Sequence, residues 1–267
     1  YSNFFPNISL ATQIGKFQTQ LSYTTKIKRP FYNQLSSNMR YMNRFTYMSG
    51  NPDLKPETIH DLTLSGSYKW LQFMISYQRE KDAILYITEQ YEKNPAITTV
   101  THRNFNRIDN FSAFLTASPA VGSWHPQLTV GVQKQWAKIE HNGETLQMDT
   151  PLFFCTLNNG IQLPYHWTLS TDINFQSKGD YQNIYMYQNV FMMNATLTKS
   201  FLNEHLSIHL QGIDLTHGRK DGNRIYNKHM NMDVANVSDS RELRFTIRYK
   251  FNTAKSKYKG KGAATEE

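Results

Sequence analysis

The stretch Leu62-Thr63-Leu64-Ser65-Gly66-Ser67-Tyr68-Lys69-Trp70 alternates without a fault. Leu62, Leu64, Gly66, Tyr68 and Trp70 fall on one side, and Thr63, Ser65, Ser67 and Lys69 on the other. Successive side chains of a β-strand point to opposite faces, so this stretch reads as a strand with one apolar and one polar face. The same two-residue beat returns along the chain. Reading strands by alternation, and breaks by Gly, Pro, Asn and Asp, gives eleven segments: 4–14, 16–28, 57–69, 71–87, 97–117, 125–140, 151–163, 167–180, 187–200, 205–218 and 238–251. Leu71, Phe73, Ile75 and Tyr77 mark the apolar face of the fourth, and Leu243, Phe245, Ile247, Tyr249 and Phe251 that of the last.

The connections alternate as well. Short ones lie around Gly15, at Lys69-Trp70, from Ser118 to Trp124, at Pro164-Tyr165 and at Leu202-Asn203. Long polar ones, 29–56, 88–96, 141–150, 181–186 and 219–237, come between them. Up-and-down antiparallel strands place all short turns on one rim and all long loops on the other, as in a transmembrane β-barrel. A Greek-key sandwich has no reason to keep this order. The expected fold is therefore all-β: an antiparallel up-and-down transmembrane barrel, with 1–251 in the barrel and 252–267 a basic, disordered periplasmic tail. Eleven strands ending at the short-turn rim imply a partial barrel, because single-chain bacterial barrels have even strand numbers. The chain opens at Tyr1 with no initiator Met or leader-like segment, which reads as the middle of a longer protein.

Composition narrows the classes without choosing among them. No run approaches the roughly 18 apolar residues of a membrane helix, and a mean hydropathy of −0.60 suits a soluble protein or a barrel, whose lipid face uses every second residue. Trp70, Trp124 and Trp167 each stand beside a short turn, where an interfacial girdle places its rings. The net charge of +8 raises nucleic acid as a partner, but the basic residues are dispersed and Lys69, Arg244, Arg248 and Lys250 occupy polar strand faces, so no nucleic acid is expected. A single cysteine, Cys155, permits no internal disulfide. His205 and His209 lie about 13 Å apart on one strand face, too far to share one ion; no metal and no cofactor is expected. No Gly-x-Ser-x-Gly elbow occurs, and no catalytic residue is assigned.

The most specific string is Gly50-Asn51-Pro52-Asp53-Leu54-Lys55-Pro56-Glu57. Gly50 can adopt φ > 0, the prolines fix their own φ and extend the residues before them. Such a stiff bend suits returning the chain from the longest loop to the wall.

This string closely resembles the "GNPxLKPE" signature of TonB-dependent outer-membrane receptor barrels. Lys28-Arg29-Pro30-Phe31-Tyr32 with Leu35 resembles that family's run after the preceding strand, and Arg241 to Phe251 is similar to its closing strand, whose residues Phe245, Ile247, Tyr249 and Phe251 would be the assembly signal. The resemblance spans essentially the whole chain and implies the second half, strands 12 to 22, of a 22-stranded barrel in the outer membrane of a Gram-negative bacterium. It also implies a plug and an N-terminal barrel half elsewhere in the parent protein, TonB acting through that plug, the barrel-assembly machinery, outer-membrane lipid, and an unidentified ligand, a metal chelate or oligomeric nutrient. The basic tail after Phe251 departs from a terminal closing strand. Ligand contacts are expected from loop 29–56, through Tyr32, Tyr41, Arg44, Phe45 and Tyr47, and from loop 219–237, through Arg219, Lys220, Arg224 and Tyr226, which supply aromatic and cationic groups near a pore mouth. Two readings stay open beside uptake: a barrel used for adhesion or signalling, and a soluble all-β binding domain with its apolar faces packed inward.

Overall fold

The computed structural model describes residues 4–91, 94, 96–141, 143–226 and 231–251; the tail 252–267 lies outside the described residues. Along the chain the strands are β1 (Asn7–Ile14), β2 (Phe17–Lys28), β3 (Arg40–Asn43), β4 (Thr46–Met48), β5 (Glu57–Tyr68) and β6 (Leu71–Gln90). They continue as β7 (Thr98–Ala117), β8 (Trp124–His141), β9 (Glu144–Met148), β10 (Leu152–Leu163), β11 (Trp167–Gln176) and β12 (Gly179–Tyr181). The last are β13 (Ile184–Met186), β14 (Val190–Phe201), β15 (Leu206–Ile213), β16 (Lys220–Tyr226), β17 (Asn231–Val237) and β18 (Glu242–Tyr249), with one helical turn, α1 (Tyr32–Leu35).

Eleven of these pair in the order β1-β2-β5-β6-β7-β8-β10-β11-β14-β15-β18, every neighbour antiparallel. They answer one for one to the eleven expected segments. The register carries the alternation across the sheet. Leu10, Leu21, Leu64, Ile75, Ala113, Val132 and Phe153 form one lateral row over seven strands. Leu10, Leu21, Leu64, Ile75 and Phe153 of this row, from 37% at Leu64 to 70% at Leu10, are solvent-exposed, with no second layer on them. On the other face Gln13, Gln18, Ser67, Gln72, Thr116, Thr129, Thr156 and Asn174 make a polar row, tied by Thr116–Thr129 and Thr156–Asn174 hydrogen bonds of 2.9 and 3.1 Å. An unpartnered apolar face backed by a face of hydrogen-bonding side chains is the arrangement of a membrane barrel wall, and the inward-packed soluble alternative does not hold. The sheet is open: β1 and β18 do not pair with each other.

The short turns lie on one rim. Gly15, Lys69, Gly122, Tyr165 and Leu202 to Glu204 reverse the chain there through positive φ. Trp70, Trp124 and Trp167, all partly exposed, stand at this rim. On β8 the same face presents Trp124, Leu128, Val130, Val132 and Trp136. Twelve residues at about 3.3 Å, tilted by roughly 40°, separate its two tryptophans by about 30 Å along the normal, the depth of a bilayer core.

The opposite rim departs from the sequence reading. Residues 181–186 and 219–237, expected as loops, supply strands to a second antiparallel sheet, β12-β13-β16-β17. Asp221-Gly222-Asn223 reads locally as a breaker, but pairing with Val234, Ala235 and Asn236 satisfies its backbone. Loop 141–150 contains β9, paired back on β8, and loop 29–56 contains α1 and the β3–β4 hairpin. The second sheet packs on the polar side of the wall. Tyr185 and Tyr226 cover a cluster of Leu85, Ile108, Ile139 and Met148, where each fully buried side chain contributes about 1.5–3 kcal/mol. The tip of the β12–β13 hairpin is clamped by Gln135, which accepts from the Gln182 N–H (2.6 Å) and donates to its carbonyl (2.7 Å). Asn183 donates to the Tyr86 carbonyl at 2.7 Å.

Asp214, just past β15, organises the chain leading to β16. Its buried carboxylate accepts from the Gly218 N–H (2.8 Å), the Arg219 N–H (3.2 Å) and the Ser240 hydroxyl. Burial alone would raise its pKa; the hydrogen bonds from Ser240, Gly218 and Arg219 outweigh it and hold the group below the usual carboxylate range. Gly218 fits because a Cβ there would lie 1.6 Å from the Phe191 carbonyl oxygen.

Two outcomes test this architecture in the parent barrel, unfolded by urea from detergent. Val130→Lys, midway between Trp124 and Trp136, should cost about 2–4 kcal/mol, while Gln133→Lys on the polar face should cost far less. Because the folded pKa of Asp214 is depressed, its stabilisation is complete above the unfolded carboxylate pKa of about 4 and fades as pH falls through the lower folded value. The urea midpoint of wild type should therefore exceed that of Asp214→Asn at pH 6, and the gap should close progressively below about pH 4.

Candidate ligand-binding surface at the outer rim

The GNPDLKPE string fastens the first loop to the wall. Gly50 does not use a left-handed φ, contrary to the sequence reading. It is glycine because a Cβ would meet the Gln34 and Ser36 carbonyl oxygens, each at 2.5 Å, and its N–H donates to the Ser36 carbonyl at 2.8 Å. Asn51 Oδ1 accepts from the Asp53 N–H at 2.9 Å, and its Nδ2 donates to the His102 carbonyl of β7 at 3.0 Å. Pro52 and Pro56 bracket the bend, and Leu54 is buried. Asn104 of β7 completes the seam, accepting from the Lys55 N–H at 2.8 Å and donating to the Lys55 carbonyl at 3.0 Å. Glu57 begins β5 as a buried carboxylate, 3.3 Å from Lys28 Nζ. Asn104 and Lys28 are far from the string in sequence, so no local signal marks them as its partners.

Held this way, the β3–β4 hairpin projects from the rim and adds β4 in parallel to the outer end of β7. Tyr41 and Tyr47 stand with ring centroids 6.1 Å apart, and Tyr47 meets Tyr91 edge-on at 5.4 Å. The Arg44 guanidinium lies 4.7 Å from the Phe45 ring centre. Tyr32, on α1, is almost fully exposed, and Tyr41 and Phe45 are largely so. The first loop thus gathers Tyr41, Arg44, Phe45 and Tyr47 on one short hairpin, with Tyr91 as a member that its isolated position in sequence did not reveal.

The second set is placed differently. Arg224 on β16 makes a two-pronged ion pair with Asp233 on β17, at 2.7 and 3.0 Å. That carboxylate and the Tyr226 hydroxyl raise the guanidinium's pKa further. The Tyr226 ring packs on the buried cluster, Arg219 is exposed in the Asp214 turn, and the Lys220 side chain lies outside the described residues. Phe245, Ile247, Tyr249 and Phe251 line the open side of the closing strand, with Tyr249 and Phe251 in edge contact at 4.6 Å. His209 engages Thr198 at 3.0 Å and Ser207 at 2.9 Å through its two ring nitrogens. Among the described residues no group of three or more His, Cys, Asp or Glu is arranged to hold a metal ion.

Comparison with solved structures finds the same fold. The siderophore receptor PirA from Pseudomonas aeruginosa superposes with a TM-score of 0.53 at 16% identity, over 81% of this chain and 39% of that one. The pyoverdine outer membrane receptor FpvA from Pseudomonas aeruginosa PAO1 gives 0.58 at 14%, over 92% and 36%. The outer membrane transporter YddB from Escherichia coli gives 0.50 at 11%, over 87% and 38%. The chain thus spans well under half the length of these barrels. Comparison with curated protein sequences finds no match. A family model described as "Outer membrane protein beta-barrel family" matches residues 1–249. With its open apolar face and its two unlike rims, the chain belongs to that outer-membrane β-barrel family.

Proposed function

We propose that residues 1–251 form the C-terminal half of an outer-membrane receptor barrel that binds a scarce solute outside the cell and imports it with energy delivered through TonB. The remaining barrel half and the plug belong to the same parent protein, TonB acts through that plug, and Phe245, Ile247, Tyr249 and Phe251 present the closing strand to the barrel-assembly machinery. The observation that carries the reading is the hairpin of Tyr41, Arg44, Phe45 and Tyr47, anchored to β7 by the GNPDLKPE string and held open to solvent at the outer rim. The exposed Tyr41 ring and the exposed Arg44 guanidinium, set over Phe45, suit stacking on, and charge contact with, a chelate or an oligomeric nutrient. The siderophore and pyoverdine receptors that share the fold favour the chelate. Residues Arg219, Lys220, Arg224 and Tyr226 and the exposed Tyr32 form the flanking surface, and Gly50, Asn51, Pro52, Leu54, Pro56 and Glu57 act as its anchor rather than as ligand contacts.

Growth of a strain lacking the parent gene, on a panel of ferric chelates and oligosaccharides as limiting nutrients, tests this. Loss of growth on one of them, restored by the wild-type gene only where TonB is functional, is the expected result. Complementation with Tyr41→Ala/Arg44→Ala should lower uptake on the order of tenfold at unchanged outer-membrane abundance. Normal growth on every nutrient, with surface attachment lost instead, would replace import by adhesion.

A further inference from the structure

We propose that the outer face of the wall carries a docking site for the phosphorylated headgroup of an outer-leaflet glycolipid, in the recess between Arg107 and Lys138 above Trp136. The site is separate from the rim hairpin and does not depend on what the barrel imports. Three lateral rows build it at one height. Tyr77, Phe111 and Lys134 are register neighbours, as are Arg79, Asp109 and Trp136, and Lys81 stands opposite Arg107. All continue the lipid-facing side of their strands, since Arg79 and Lys81 follow Leu71, Phe73 and Ile75 at two-residue steps, and Lys134, Trp136 and Lys138 follow Leu128, Val130 and Val132.

These rows hold four cations, Arg79, Lys81, Arg107 and Lys134, and Lys138 adds a fifth at the recess, against two carboxylates, Asp109 and the Asp149 that accepts from Gln147 at 3.1 Å. Asp109 is already satisfied: it accepts from Arg79 Nε at 2.8 Å, from the Tyr77 hydroxyl at 2.9 Å and from Arg107 at 2.5 Å. Each guanidinium carries five N–H donors, so both retain donors for an anion, and both remain substantially exposed. Lys134 lies 5.4 Å from the Trp136 ring centre, the posture of a lysine reaching up from the apolar band to the interface. Beside them a recess of about 400 Å³ is lined by Arg107, Asp109, Trp136, Lys138 and Gln147.

Position decides the occupant. Unpaired cations are costly facing acyl chains and nearly free at the interface, and the Trp124-to-Trp136 separation puts this cluster at headgroup height. Cations at that height attract anionic headgroups, and arginine matches phosphate geometry with paired donors.

The test uses the full-length parent barrel in detergent, with lipid occupancy read by native mass spectrometry. Diphosphoryl lipid A should bind, and its dephosphorylated form should bind at least about tenfold more weakly. Lys138→Gln should weaken diphosphoryl lipid A about fivefold and Arg107→Gln/Lys138→Gln about thirtyfold. Heat-modifiable gel mobility reports whether each variant is folded. Should the double variant fail to fold, Lys138→Gln and Lys134→Gln decide the matter singly. Unchanged affinity in the variants, equal binding of the dephosphorylated lipid, or complete displacement by millimolar inorganic phosphate would each overturn the proposal.

Discussion

Backbone pairing in the absence of water is the constraint on which the rest of this structure depends. An unpaired N–H or C=O in hydrocarbon costs several kcal/mol, so only helices and closed sheets cross a membrane. Having no apolar run of helical length, this chain meets the constraint at every seam between its eleven neighbouring strands, whose registers run without slippage from β1 to β18, and leaves it open at those two edges. A shift of one residue would turn Leu64 or Val130 into the lumen and Ser65 or Thr129 into lipid. Unbroken alternation is therefore the condition under which each strand has a single acceptable pairing.

Above the membrane the same strands obey a different rule. Water is available, so the wall strands need not alternate, and β6 and β7 run on beyond the apolar band. There Ala83, Ile84 and Leu85 are buried in succession, on either side of a chain that the second sheet partly covers. The four-stranded cap is a small soluble-type assembly, with a buried apolar cluster, a satisfied Gln135–Gln182 clamp and the Asp214 turn. It leaves the β3–β4 hairpin free at the rim. The polar inner face, rich in Gln, Ser and Thr, and the aromatic outer hairpin thus have separate structural origins.

The two edges of the sheet are chemically unlike the rest. Every residue of β1 and of β18 is exposed, including Leu243, Phe245 and Ile247, and their outward backbone groups are free to pair. Such edges demand partners in any stable assembly, in keeping with a chain that covers 36–39% of each of the three solved barrels compared.

The sequence by itself determined the wall: eleven strands, their faces, and the alternation of short turns with long loops. Each of these follows from near neighbours, because the period of two and the turn chemistry of Gly15, Lys69 or Pro164 are local properties. What only the tertiary structure decided lies at the outer rim. Asp221-Gly222-Asn223 reads as a breaker until β17 pairs with it, and Gly50 reads as a left-handed glycine until the Gln34 and Ser36 carbonyls close on it. Arg224 reads as a free cation until Asp233 takes both its prongs, and Asp109 draws Arg79 from the neighbouring strand to join Arg107 of its own strand. Those outcomes rest on groups brought together from distant parts of the chain, and a local pattern carries no record of which distant partner arrives.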